Sequence, residues 1–99
     1  MFDLHIDPLA EEELSESAEW YALRNQKIGR EFFEEVSQMM ENILSHPLLY
    51  QQVTEKLHRA HLRRFPLSLF YYIVADRIVI IACLHDSRDI DTILKARHH

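Results

Sequence analysis

Leu67-Ser68-Leu69-Phe70-Tyr71-Tyr72-Ile73-Val74, then Ala75-Asp76-Arg77, then Ile78-Val79-Ile80-Ile81-Ala82-Cys83-Leu84, is the stretch on which the fold turns. Two apolar runs, dense in β-branched and aromatic residues, lie back to back across a short polar break. Each has the length of an ordinary strand, and the break suits a tight hairpin. In the first run Leu69, Tyr71 and Ile73 alternate with Phe70, Tyr72 and Val74, so both faces are apolar. Such a pair of strands has to be covered twice.

Upstream, residues 57–65 form a third candidate strand, with Arg59, His61 and Arg63 on one face and Ala60 and Leu62 on the other. Residues 47–55 read as a loop. Before them, Gln26–Ser45 repeats Ile28, Phe32, Val36, Met39 and Ile43 at helical spacing, with Phe33, Met40 and Leu44 widening the stripe. His46-Pro47 ends that helix, because the residue before a proline is pushed out of the α region. An earlier helix begins at Asp7-Pro8, an N-cap followed by proline at the first helical position, and buries Ala10, Leu14, Ala18 and Tyr21. Asn25 is expected to end it in a left-handed conformation, leaving a tight antiparallel helical hairpin. Residues 2–6 alternate apolar and polar as an opening strand. After the last run, Ile90, Ile93 and Leu94 stand at helical spacing as a short docked turn, and no function is placed on His98-His99.

The element order is therefore β-α-α-β-β-β, an α+β domain spanning residues 1–99. A helical hairpin packs on one face of a small, mostly antiparallel four-stranded sheet. One hairpin covers only one face. The other has to meet the C-terminal tail, a second copy or a partner chain, and this reading favours a partner.

Composition narrows the classes. Ninety-nine residues hold one core, and 47% hydrophobic with 27% charged residues is globular rather than disordered. No apolar run nears the roughly 20 residues of a membrane span, and acids stand where a signal peptide would be basic. The single Cys83 lies inside an apolar run and reads as a buried, inert thiol, which fits a cytoplasmic protein. The net charge of −5 argues against general nucleic-acid binding. It is segregated, however, since residues 56–64 carry His58, Arg59, His61, Arg63 and Arg64 and no acid. That strip suits an acidic or polyanionic partner, or else neutralises the acidic helices of its own chain.

Chemistry leaves few candidates. His58 and His61, three apart on a strand, face opposite ways and cannot share a metal, so no metal and no cofactor is expected. No glycine-rich phosphate loop exists, as Gly29 stands alone inside a helix. A metal-free ribonuclease would need a base, an acid and cations on the phosphate. His61, His85, Arg59, Arg63, Arg88 and Tyr72 are residues of the right types.

The run 62–73, the run 78–85 and then Ser87-Arg88-Asp89 together resemble the C-terminal half of the ParE/RelE toxin superfamily of bacterial type II toxin–antitoxin modules. Asp7-Pro8, the Arg24-Asn25 junction and the helix stop before His46-Pro47 resemble its N-terminal half. The resemblance implies a cytoplasmic toxin in a hetero-oligomer with a cognate antitoxin, whose C-terminal segment lies along the sheet and hairpin. Leu9, Trp20 and Tyr50 would be antitoxin contacts or core. ParE-like members poison DNA gyrase without cutting anything, while RelE-like members cut mRNA on the ribosome. RelE-like cutters commonly carry an arginine where Ser68 stands here, tend to be basic, and often end in a catalytic Tyr or His. His85-x-x-Arg88-Asp89 is more similar to ParE relatives, so the gyrase branch is favoured. Its binding residues would be Arg59, His61, Arg63, Arg64, His85 and Arg88. In the ribonuclease branch His85, Arg63, Arg88 and Tyr72 would be catalytic, Arg63 or Arg64 standing in for the missing arginine. A non-toxic member that only binds its antitoxin is the third alternative.

Overall fold

The computed structural model describes residues 1–97, so His98 and His99 lie outside the described residues. The order is β1 (Asp3–Ile6), α1 (Pro8–Arg24), α2 (Gln26–Ser45), β2 (Gln51–Gln52), β3 (Leu57–His61), β4 (Leu67–Val74), β5 (Arg77–His85) and α3 (Ile90–Ala96). The class is the α+β one read from the sequence, with one more strand. Gln51 and Gln52, inside the expected loop, pair with Arg59 and His58 and form the sheet's far edge. The sheet order is β1-β5-β4-β3-β2; β1 runs parallel to β5 and every other pair is antiparallel.

The helical hairpin follows from its caps. Asp7 has the extended backbone of an N-cap and its carbonyl accepts from Glu11 N–H at 2.9 Å, although its side chain makes no cap bond. Asn25 is not left-handed. Its φ of −164° is extended, and its side chain accepts from Lys27 N–H at 2.9 Å as the N-cap of α2. One residue thus closes α1 and opens α2. Beside this junction the helices nearly touch: a Cβ on Gly29 would stand 2.7 Å from that of Ala22. Phe32, Val36, Met39 and Ile43 are buried as the stripe requires. Ile28, at the start of that stripe, reaches solvent instead; of the widening residues Met40 packs against the core, but Phe33 is 67% exposed and Leu44 also reaches solvent.

The hairpin covers the face carrying Ala60, Leu69, Tyr71, Ile78 and Ile80. Tyr71 donates from its hydroxyl to Pro47 O at 2.6 Å, and burial pushes its pKa up. The other face carries Leu57, Phe70, Ile81, Ala82 and Leu84, and the expectation of a partner there fails. Ile90, Ile93 and Leu94 of α3 lie on it, so the chain seals its own underside.

A β-bulge divides the two faces. Phe70 pairs with Ala82 and Tyr71 with Ile80, which leaves Ile81 without an opposite residue. Alternation along β5 therefore slips by one. Ile78 and Ile80 face the hairpin, Ile81 and Ala82 both face α3, and Cys83 returns to the hairpin side. Cys83 is buried, and burial with Glu13 and Asp86 nearby pushes its thiol up to about 12, which keeps it protonated and unreactive.

Candidate functional site

The basic strip expected from the sequence is divided three ways. On the α3 side of the sheet, β3 places Arg59 and His61 opposite Phe70 and Ser68 of β4. Arg59 Nη2 donates to Asp86 Oδ1 at 2.9 Å and Nε to Ser68 Oγ at 3.2 Å. The fully buried Ser68 donates its hydroxyl to Asp86 Oδ1 at 2.7 Å and lies 3.0 Å from His61 Nδ1. Burial alone would raise the Asp86 pKa. The hydrogen bonds from Ser68 and Arg59, with the charges of His61 and Arg59, outweigh it and hold the carboxyl below its usual range.

Ser68, His61 and Asp86 have the composition of a nucleophilic triad but not its wiring. A relay needs serine and aspartate on opposite ring nitrogens. Here both approach Nδ1, Asp86 Oδ2 lying 3.6 Å from it. The serine is also sealed from any substrate. The cluster ties β3, β4 and the end of β5 together and neutralises Arg59.

Arg63 and Arg64 leave the sheet, because β3 ends at His61 rather than at residue 65. Their backbone N–H groups both donate to the Glu35 carboxylate of α2. Arg64 adds ion pairs to Glu35 at 3.3 Å and Glu31 at 3.4 Å. The Arg63 guanidinium stays in solvent without an ion pair among the described residues.

His85 belongs to the opposite face. The bulge turns it towards α1, where with Arg88, Trp20, Glu16 and Ser17 it lines a cleft of about 520 Å³. Its Nδ1 accepts from Ser87 N–H at 3.1 Å and lies 2.8 Å from Ser87 Oγ, so it makes no pair with Asp86 or Asp89. Asp89 instead caps α3, accepting from Thr92. Trp20 is half exposed, with the Arg24 guanidinium 3.4 Å over its ring, whereas Tyr50 packs against the core. Leu9 is half exposed too. On the α3 side a second cleft, of about 890 Å³, brings Arg59, Tyr72 and Arg88 together with Asp86, Asp89 and Asp91. Its three cations, Arg59, Arg88 and Lys95, are thus matched by three acids.

Two residues that matter were not legible. Asp86 is the counter-ion of Arg59, though the chain separates them by 27 positions. Glu13 accepts from Cys83 N–H at 3.0 Å and pairs with Arg97, which also donates to Ile81 O at 3.2 Å. This pair caps the β5 edge beyond Ile80, where β1 stops, and ties the end of α3 to α1. The only sequence signal was an acid on the α1 flank beside its buried stripe.

A model of the "ParE toxin of type II toxin-antitoxin system, parDE" family matches residues 4–90. No curated relative matches the sequence. Among solved structures, the chromosomal ParDE toxin–antitoxin system of P. aeruginosa aligns at 14% identity and TM-score 0.64, over 86% of this chain and 96% of that one. The intact E. coli RelBE complex aligns at 16% identity and TM-score 0.66, over 89% and 100%. The isolated E. coli RelE toxin aligns at 16% identity and TM-score 0.65, over 98% of each chain. At these identities the likeness is one of fold, and it is equal for both branches.

Proposed function

The chain belongs to the ParE toxin family of type II toxin–antitoxin systems, and from that premise we propose a cytoplasmic toxin that poisons DNA gyrase by binding and cuts nothing. A cognate antitoxin holds it inactive. One observation carries this reading: the acid–base candidates are divided between two clefts, His85 lining the one beside α1 and Tyr72 with Arg59 the one beside α3. His85 lies on the hairpin side of the sheet and Arg59 on the α3 side, already neutralised by Asp86. Strand cleavage of RNA needs a base at the 2′-hydroxyl, an acid at the leaving oxygen and unpaired positive charge between them. Ser68 supports the reading further, since a buried hydroxyl spent on Asp86 offers a phosphate nothing. Arg63 of the basic strip and Arg88 beyond it are exposed and carry no ion pair among the described residues, which leaves them open to a partner, and half-exposed Leu9 and Trp20 suit antitoxin contacts.

The ribonuclease reading draws on two facts, that Arg59, Tyr72 and Arg88 share a cleft and that Arg88 also lines the cleft of His85. Expression in bacteria separates the two. Gyrase poisoning gives filamentous cells with the DNA-damage response induced, while mRNA cleavage stops translation. Primer extension on ribosome-bound message is the sharper arm. Cuts that disappear with His85→Ala or Tyr72→Phe would replace the gyrase reading by the ribonuclease one.

A further inference from the structure

Four of the eleven lysines and arginines pair within the fold: Arg59 with Asp86, Arg64 with Glu31 and Glu35, Arg77 with Asp3 and Arg97 with Glu13. On the helical hairpin the acids outnumber the cations. Residues 8–45 hold nine glutamates against Arg24, Lys27 and Arg30. Among the described residues Glu11, Glu12, Glu16, Glu19, Glu34 and Glu41 are exposed and carry no ion pair. The charge this protein shows to a partner is therefore negative, and it is concentrated on α1 and α2.

The same two helices carry an uncovered apolar seam. Two hollows, of about 590 and 230 Å³, run between them and share Ala18 and Phe33. Small residues floor the seam: Ser15, Ala18, Ala22, Gly29 and Ser37 let a partner approach the backbone closely. Phe33, 67% exposed although it follows the fully buried Phe32, stands up as a knob. Glu11, Glu19 and Glu34 rim the seam against Arg30 alone. An apolar centre within an acidic rim has the build of a recognition surface, with the anchor in the middle and charge at the edge.

We propose that this seam, and not the basic strip, is the surface that docks on the toxin's target, and that it fits a cationic surface with an apolar centre. A second copy of the chain is the wrong occupant, because it would set one acidic rim against another. Nucleic acid is repelled for the same reason. An enzyme that grips DNA must carry such cationic surface to neutralise phosphates, and a negatively charged protein surface competes for it. The inference rests on the reading above that the target is gyrase, and it replaces the basic strip with the acidic hairpin as the contact.

The test is inhibition of purified gyrase in a supercoiling assay, with three variants of the full chain. Glu19→Lys combined with Glu34→Lys inverts the rim. Phe33→Ser removes the knob without touching the core, so a folding failure of the first variant leaves the second to decide. Glu55→Lys inverts an exposed acid away from the hairpin. Wild type should inhibit, the two seam variants should need roughly tenfold more protein or greater, and Glu55→Lys should match wild type. Unchanged thermal unfolding of Phe33→Ser confirms that the loss is one of contact. Equal inhibition by wild type and both seam variants overturns the inference and leaves the gyrase reading standing. Seam variants that lose the purified cognate antitoxin yet still inhibit gyrase also overturn it, assigning the seam to the antitoxin. A wild-type protein with no effect on gyrase sinks the function reading and the inference together.

Discussion

On one face of the sheet, Leu69, Tyr71, Ile78 and Ile80 meet two helices of 17 and 20 residues; on the other, Phe70, Ile81 and Leu84 meet one helix of seven. The strands are shared, and both sets of side chains are equally dry. The difference lies in the cover. α2 alone contributes Phe32, Val36, Met39 and Ile43 as buried residues, whereas no residue of α3 is itself buried. A helix of that length does not hold its shape unaided. It is kept in place by half-buried apolar contacts, the Asp89 cap at its start and Arg97 at its end. One face is thus an interior. The other is a lid on fastenings.

Phe32→Ala should be the most damaging single change. Its ring is 1% exposed and packs edge-on to Phe65 at 5.1 Å between centroids, with Tyr21 at 5.3 Å. Emptying that site should cost about 3–5 kcal/mol, read as a fall in the urea midpoint. A cost below about 1 kcal/mol would mean that the hairpin face is as loosely held as the other.

Arg97→Ala comes next. The guanidinium and the Glu13 carboxylate are 15% and 18% exposed, and between them they satisfy Ile81 O and Cys83 N–H on the uncovered β5 edge. Losing the arginine strands a nearly buried carboxylate and a carbonyl, at about 1–3 kcal/mol. Thermal unfolding measures the loss. Hydrogen exchange should place it in α3 and β5 rather than in α2.

Ile93→Ala trims only a half-buried side chain, and about 1 kcal/mol is expected. The informative readout is local. Amides of α3 should exchange faster while those of α2 do not change. Uniform acceleration would show that the lid and the hairpin open as one unit, which would abolish the distinction drawn here.

Much of this contrast was legible in the sequence, and the remainder failed for identifiable reasons. Apolar periodicity is a local signal, so α2 could be placed at Gln26–Ser45, as could the two long strands. It overreached at Phe33 and Leu44, because spacing marks a helix side but not how far the neighbouring element extends. Gln51 and Gln52 gave no pattern at all, since they join the sheet through backbone pairing alone. The apolar tail residues Ile90, Ile93 and Leu94 were visible, but what they cover depends on chain reversal after His85. The site suffered most from the bulge. In an unbroken apolar run nothing marks Ile81 as the extra residue, yet that one residue sends His85 to one face and Asp86 to the other. A strip of cations that looked continuous by counting became three separate environments.

Asp86 supplies the finest test, because it fastens the lid side only. Its carboxyl is held below the usual range, so the unfolded chain takes up the proton at a higher pH than the folded one does. The stabilisation is therefore complete above the unfolded value of about 3.9 and is lost as pH falls through the folded value. At 34% exposure the solvent screens much of it, and the effect should be the smallest of the four. Asp86→Asn removes the titration while keeping the shape. Stability of wild type over the variant, measured by urea unfolding from neutral pH into acid, should hold until the pH nears the unfolded value and shrink as more acid is added. Hydrogen exchange should show α3 and the β3 end loosening in acid before α2 does. A wild-type advantage that stays constant with pH would mean that Asp86 acts by shape alone, and that Arg59 is not held by its charge.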